Sequence, residues 1–164
     1  MLSLDKFPVL LVEDEPELSY LVKQVLQSLG FKNVSLAANG RIALEKSLEH
    51  NFKIIITDWE MKPMSGIEFV RYLRTLVPPP NRYAPVLMFT GRTSLEDVQY
   101  ARDAGVNEFL AKPFTASELS KRLLSSIQHP RQFITAEQYA GPDRRRKTAK
   151  APDGKLKRME DKKP

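Results

Sequence analysis

Two kinds of apolar pattern alternate along the first 128 residues of the chain. Segments whose apolar positions recur with helical spacing alternate with short segments that are continuously apolar or β-branched. The short segments number five, and each has the length of a buried strand: Val9–Val12, Val34–Ala37, Ile54–Thr57, Val86–Phe89 and Glu108–Ala111. Five strand–helix repeats predict an α/β fold, in which helices cover both faces of a parallel sheet.

The helical segments have recognisable starts and stops. The first begins at Pro16 and ends at Gly30, and between them its leucines and valines form one apolar stripe. Four further helices are predicted over about 41–50, 66–77, 94–104 and 116–127. The third stops at three consecutive prolines, which cannot continue a helix.

Polar residues that could carry chemistry follow the predicted strands. The stretch VLLVEDEPE runs from the first strand straight into Glu13 and Asp14, and the third strand leads to Asp58. Thr90 follows the fourth strand and Lys112 the fifth. Ligands of open α/β sheets bind beyond the carboxyl ends of the strands, so these side chains should converge at one edge. Three carboxylates there suit Mg²⁺, while the ammonium and hydroxyl suit phosphoryl oxygens.

Four stretches, each at a strand end, resemble the receiver domain of two-component response regulators. They are LLVEDE, IIITDWEMKPMSG, PVLMFTG and EFLAKPF, and the resemblance covers roughly residues 5–128. It implies a flavodoxin-like (βα)5 doubly wound sheet with strand order 2-1-3-4-5. It also implies a role in a phosphorelay, as a single-domain, chemotaxis-receiver-like protein.

The resemblance assigns a role to each acidic position. Asp58 would accept a phosphoryl group from a sensor histidine kinase or a histidine phosphotransfer protein. Mg²⁺ would be held by Asp14 directly, by Glu13 through water, by Asp58 and by the backbone carbonyl of Glu60. Catalysis would be limited to the protein's own phosphorylation and slow dephosphorylation, so it would not be an enzyme in the ordinary sense.

Three further residues would transmit the phosphorylated state. Lys112, preceding Pro113 across a cis peptide bond, would pair with the carboxylate and then with the phosphoryl group. Thr90 would hydrogen-bond a phosphoryl oxygen, and Phe109 would change rotamer with it. The output would be phosphorylation-dependent binding of a downstream protein whose identity the sequence does not reveal.

Other interpretations of the same residues stay open at this point. Asp14 could cap the first helix, and Asp58, Thr90 or Lys112 taken singly could be an ordinary turn, strand or surface residue. A second function class is a Mg²⁺-dependent aspartyl-phosphate phosphatase of the haloacid-dehalogenase-like type. Such enzymes place an Asp-x-Asp pair after the first strand and usually carry a cap domain. The Glu13-Asp14 pair and the lack of a long insertion disfavour that alternative.

Charge and composition divide the chain near Gln128. Residues 1–128 contain 15 Lys/Arg and 15 Asp/Glu, whereas residues 129–164 contain 11 and 5 and therefore hold all of the net charge of +6. We predict a receiver domain over 1–128 and a basic, largely disordered tail over 129–164. Phe133, Ile134 and Tyr139 could dock as an apolar anchor on the domain or on a partner.

The tail's basic cluster Arg144–Lys147 could contact a protein, nucleic acid or a membrane surface. From sequence alone, nucleic acid and membrane are not favoured over a solvated tail or a protein partner. The chain contains no cysteine and no apolar run of membrane-spanning length, which predicts a cytoplasmic protein.

Overall fold

The computed structural model describes residues 3–136, 139–143, 147–150 and 156–158 of the chain. Its helices are α1 (Pro16–Ser28), α2 (Gly40–Glu49), α3 (Gly66–Thr75), α4 (Leu95–Ala104) and α5 (Ala116–Gln128). Its strands are β1 (Val9–Val12), β2 (Val34–Ala37), β3 (Ile54–Asp58), β4 (Val86–Thr90), β5 (Glu108–Ala111), β6 (Phe133–Ala136), β7 (Tyr139–Pro142), β8 (Lys147–Lys150) and β9 (Leu156–Arg158). Short 3-10 helices lie at Leu4–Lys6 and Asn81–Tyr83.

Strands β1 to β5 form one parallel sheet in the order β2-β1-β3-β4-β5, which confirms the predicted fold class and strand order. In register, Val12 at the end of β1 lies opposite Ala37 of β2 and Thr57 of β3. The residues that follow these strands therefore emerge side by side. We call the edge where the strands end the carboxyl edge and the opposite one the amino edge.

Two apolar cores lie on the two faces of the sheet. Alternate strand residues such as Leu10 and Ile55 pack against α2, α3 and α4, while Leu11 and Ile56 pack against α1 and α5. The central strands β1, β3 and β4 are buried along their whole length, as the continuous apolar runs predicted. Within the described part of the chain, no helix is long and apolar enough to cross a bilayer.

Beyond α5 the structure differs from the expectation of a largely disordered tail. Strands β6 and β7 form an antiparallel hairpin, and β7 contacts α3 and α4. The ring of Phe133 lies 4.5 Å from that of Tyr83, so this member of the predicted apolar anchor contacts the domain itself. The contact between these two rings offsets part of the ordering entropy that the polar composition alone could not. The Gln128 boundary stays a prediction, and Arg144–Arg146 of the basic cluster lie outside the described residues.

Candidate active site

Three carboxylates meet at the carboxyl edge. Ligand oxygens of Glu13, Asp14 and Asp58 all lie within 4.8 Å of one another. Glu13 and Asp58 are buried, and Asp14 is exposed. The convergence follows from the topology, because β1 and β3 are adjacent parallel strands that end at the same level. The structure thus brings together the acidic residues that the sequence placed after separate strands.

Lys112 completes this cluster from the end of β5. Its Nζ lies 3.0 Å from Oδ2 of Asp58 and 4.0 Å from Oε2 of Glu13. Its backbone N donates to the carbonyl of Thr90 at 2.9 Å, so its position is tied to the end of β4. The Lys112–Pro113 peptide bond is cis, as the family resemblance implied.

The electrostatics of Glu13 indicate a place for a cation. Burial, and secondarily the charge of Asp58, raise the pKa of Glu13 to about 7 despite the hydrogen bond donated by the backbone N of Glu15. Among the residues that the structure describes, its Oε2 is buried without a hydrogen-bond partner. A buried carboxylate oxygen lacking a donor is costly, and a divalent cation would satisfy it. The residues present therefore fit a hard cation such as Mg²⁺.

The loop after β3 is shaped closely around Asp58. The backbone N of Trp59 donates to Oδ1 of Asp58 at 2.8 Å, and the hydroxyl of Thr57 donates to the Asp58 carbonyl at 2.9 Å. A Cβ at Gly66 would lie 1.9 Å from that carbonyl oxygen, so only glycine allows α3 to begin there. Sequence reasoning did not identify these contributions.

Thr90 lies at the end of β4, and Phe109 lies on the neighbouring strand β5. The hydroxyl oxygen of Thr90 accepts from the backbone N of Arg92 at 2.8 Å, and the side chain is buried. Phe109 is half-buried and packs against the core beneath α2, α3 and α4. Its strand is tied to β4, since Ala111 of β5 lies opposite Thr90.

An ion pair joins the two loops that flank Asp58. Arg92 donates from Nε to Oε1 of Glu60 at 2.8 Å, with Nη2 at 2.7 Å from the same oxygen. Its guanidinium lies 5.2 Å from the centre of the Trp59 ring, which in turn stacks on Tyr100 at 6.2 Å. The side chain of Glu60 thus faces Arg92, while metal binding by its backbone carbonyl stays a prediction.

Comparisons with known proteins agree with this geometry. The family model for the response regulator receiver domain matches residues 9–124. The chain is 36% identical over 115 residues to chemotaxis protein CheY-3 of Vibrio cholerae, covering 70% of this chain and 87% of that protein. It is 35% identical over 115 residues to chemotaxis protein CheY of Pseudomonas aeruginosa, covering 70% of this chain and 91% of the relative.

Solved structures give the same assignment. Vibrio cholerae CheY4 superposes with a TM-score of 0.66 at 36% identity, covering 72% of this chain and 96% of that one. The receiver domain of the sensor histidine kinase PA1611 from Pseudomonas aeruginosa, solved with a magnesium ion in its active site cleft, gives 0.67 at 30% identity, covering 74% and 98%. These findings do not support the phosphatase alternative. With the acidic cluster and Lys112 placed as the motifs predicted, the chain belongs to the response regulator receiver domain family.

Proposed function

We propose that Asp58 is the phosphoryl acceptor of this receiver. The observation that carries the proposal is the 3.0 Å contact between Lys112 Nζ and Asp58 Oδ2 inside the cluster with Glu13 and Asp14. Trp59 N holds the other carboxylate oxygen, so the group is oriented rather than free to rotate. Phosphoryl transfer requires mainly positioning and neutralisation of charge, which this arrangement supplies.

Glu13, Asp14 and Asp58 would hold Mg²⁺ with the backbone carbonyl of Glu60. The ion would neutralise charge on the carboxylates and on the phosphoryl oxygens. In the transfer step, a carboxylate oxygen of Asp58 forms a bond to phosphorus while the nitrogen–phosphorus bond of the donor phosphohistidine breaks. Lys112 then pairs with an oxygen of the transferred group.

The phosphoryl donor in this proposal is a sensor histidine kinase or a histidine phosphotransfer protein. The output is binding of a downstream protein that distinguishes the phosphorylated state. Thr90 is tied to Lys112 by a backbone hydrogen bond, and its hydroxyl can turn from Arg92 toward a phosphoryl oxygen. Phe109 would carry the change to the protein surface. Apart from its own phosphorylation and dephosphorylation, the protein would catalyse nothing, and its cytoplasmic location stays a prediction.

Labelling with acetyl phosphate tests the acceptor. In the presence of Mg²⁺ the wild-type protein should gain one phosphoryl group, and Asp58→Asn should gain none while keeping its fold. Asp5→Asn, the same substitution at the amino edge, is the matched control and should label like wild type. Undiminished labelling of Asp58→Asn would refute the assignment.

A further inference from the structure

The β6–β7 hairpin packs directly against the end of α4. It lies beyond residue 124, where the family match ends. Strand β7 contacts α3 and α4, and a Cβ at Gly141 would lie 2.9 Å from Cα of Gly105, the residue that ends α4. The two backbones therefore touch without side chains between them, which leaves no space for the end of α4 to shift toward the hairpin.

An ion pair connects the chain entering the hairpin to β5. Arg131, two residues before β6, has its Nη2 at 3.6 Å from Oε1 of Glu108, the first residue of β5. The other carboxylate oxygen of Glu108 pairs with Nη1 of Arg122 on α5 at 3.4 Å. The Glu108 side chain is only 24% exposed, so these pairs are screened less than pairs on the open surface. One carboxylate thus joins β5, α5 and the hairpin.

A second connection to β5 runs through Arg74. The ring of Phe133 lies beside Tyr83, with its centre 5.5 Å from the guanidinium carbon of Arg74. Nη2 of Arg74 donates to Oδ1 of Asn107 at 2.8 Å, and the same oxygen accepts from the backbone N of Val86 at 2.9 Å. Asn107 immediately precedes β5, so the hairpin reaches the start of this strand by two separate routes.

Both routes end beside Phe109, which directly follows Asn107 and Glu108 in the chain. Strand β5 lies at the edge of the five-stranded sheet, so pairing with β4 holds it from one side. Under the proposed function, Phe109 changes rotamer when Thr90 turns toward the phosphoryl group. A movement of β5 that accompanies this change would alter the contacts of the two residues on which the hairpin acts.

The hairpin contacts belong to the unphosphorylated arrangement, in which the hydroxyl oxygen of Thr90 accepts from the backbone N of Arg92. A displacement of β5 would lengthen the ion pair and the hydrogen bond at the start of that strand. A displacement of the end of α4 would press the two glycines together or separate them. Docking is therefore more favourable in this arrangement than in a displaced one, and such a difference in free energy is what couples two sites.

We propose that the β6–β7 hairpin is an autoinhibitory strap, which holds β5 and α4 in the unphosphorylated arrangement and is released when Asp58 is phosphorylated. The strap rests on the proposed role of Asp58, because the phosphoryl group is what releases it. Linkage makes the effect reciprocal: if phosphorylation weakens docking by some factor, the docked hairpin disfavours the phosphorylated state by the same factor. This control is an addition to the receiver domain, since the hairpin lies outside the residues that the family model matches.

Amide hydrogen exchange of the full-length protein tests the release without any substitution. Beryllofluoride with Mg²⁺ serves as the mimic of an aspartyl phosphate. Adding it should accelerate exchange over 133–142 by about fivefold or more, which is the range of typical couplings between two sites. Exchange over α2 is the internal control and should stay the same, because α2 packs beside β2 at the opposite side of the sheet.

The reciprocal measurement is the affinity for beryllofluoride, followed by the emission of Trp59, whose backbone N donates to Asp58. Arg131→Gln/Phe133→Ala removes both connections to β5. Its hairpin should exchange rapidly without beryllofluoride, and the variant should bind beryllofluoride about fivefold or more tightly than wild type. Acetyl phosphate should still add one phosphoryl group, because the hairpin lies outside the acidic cluster.

Tyr20→Ala/Arg41→Gln is the matched control. It removes an exposed aromatic ring from α1 and one cation of an exposed ion pair on α2, so it repeats both kinds of change away from the hairpin. This variant should bind beryllofluoride with the wild-type affinity and keep the wild-type exchange over 133–142.

The possible results separate the strap from the function on which it rests. If beryllofluoride binds while exchange over 133–142 stays the same or slows, the strap is refuted and the role of Asp58 stands. Wild-type affinity or wild-type hairpin exchange in Arg131→Gln/Phe133→Ala would refute the strap as well. If beryllofluoride binds to no form of the protein, the proposed function fails and the strap fails with it.

Discussion

The two edges of the sheet handle buried charge in opposite ways. At the carboxyl edge, Glu13 is buried with one oxygen that accepts no hydrogen bond within the described part of the chain, and its neighbours Asp14 and Asp58 carry the same sign. At the amino edge, the buried guanidinium of Arg74 is surrounded by neutral acceptors. The crowded carboxylates at the carboxyl edge can bind a cation and, with it, a phosphoryl group. The buried guanidinium at the amino edge is already hydrogen-bonded within the protein.

The hydrogen bonds of the Arg74 guanidinium show how fully this buried cation is paired within the protein. The side chain is 2% exposed, and its nitrogens donate to the carbonyls of Arg82, Ala84 and Gly105 and to Oδ1 of Asn107, at 2.7 to 3.2 Å. Burial lowers the pKa of Arg74 to about 10, so it stays charged at neutral pH. We infer that the amino edge supplies rigidity and the carboxyl edge supplies reactivity.

The largest expected effect is on the amino edge. Arg74→Met should lower the free energy of unfolding by about 3 kcal/mol, because several buried carbonyls lose their donors together. Arg71→Met, one turn earlier on α3, removes an exposed guanidinium that lies 4.8 Å over Tyr100 and should cost less than about 1 kcal/mol. Urea unfolding measures both. Equal losses would mean that the Arg74 network is not a stabilising centre.

The next largest effect is at the carboxyl edge and has the opposite sign. The pKa of Glu13 is about 7 in the folded protein against 4.5 ordinarily, so without metal wild-type stability falls as pH rises through this window. Glu13→Gln cannot ionise, and at about pH 8 in chelator it should be more stable than wild type by roughly 2 kcal/mol. Near pH 4.5 the two should melt alike.

Adding Mg²⁺ provides the control for that prediction. Wild type should gain thermal stability with millimolar Mg²⁺, and Glu13→Gln should gain less because it offers the ion one charge fewer. If Glu13→Gln were less stable than wild type at every pH, the contacts of Glu13 would stabilise the fold, and the prediction would be wrong.

A smaller effect concerns the packing of the hairpin on the amino edge. Gly141→Ala places a Cβ 2.9 Å from Cα of Gly105, which should weaken docking by about 1 kcal/mol. Amide hydrogen exchange over 133–142 should become faster, with acetyl phosphate labelling unchanged. Gly91→Ala is the matched control, because a Cβ there meets nothing within 4 Å. Unchanged exchange in Gly141→Ala would argue against the close backbone contact.

The smallest expected effect is the ion pair beside the acceptor. A double-mutant cycle with Arg92→Gln and Glu60→Gln should give little or no coupling in the free energy of unfolding, since both side chains are largely exposed. Arg92→Gln should nevertheless change the emission of Trp59, the single tryptophan, because the guanidinium lies over its ring. Arg41→Gln breaks an exposed pair with Glu45 elsewhere and should leave the emission as it was.

The difference between the edges also explains what could be predicted from sequence. The acidic cluster was predictable because Glu13, Asp14 and Asp58 directly follow apolar runs, and parallel topology places such residues together. Each apolar run and the acidic residue after it are adjacent in the sequence, and only the strand order had to come from the family resemblance. Glu60 and Arg92 could be located on their loops, but their pairing depends on how two loops approach each other.

The amino edge was not predictable in this way. Arginine is almost always exposed, so nothing in the sequence marked Arg74 as buried. The hairpin depends on contacts of Phe133 and Gly141 with Tyr83 and Gly105, which are tens of residues earlier in the chain. The composition of residues 129–164 shows only what that segment could bury by itself, whereas Phe133 packs on Tyr83, a surface that the rest of the fold provides.

The central claim is that the cluster of carboxylates at the carboxyl edge serves the phosphorylation of Asp58. Its most direct test is to treat the wild-type protein with acetyl phosphate and Mg²⁺, reduce the product with borohydride, and map the modified residue by peptide mass spectrometry. Borohydride converts an aspartyl phosphate to homoserine, which marks the acceptor permanently. The account predicts homoserine at position 58 alone. Conversion at Asp14, or protein that carries phosphate without any conversion at Asp58, would contradict it.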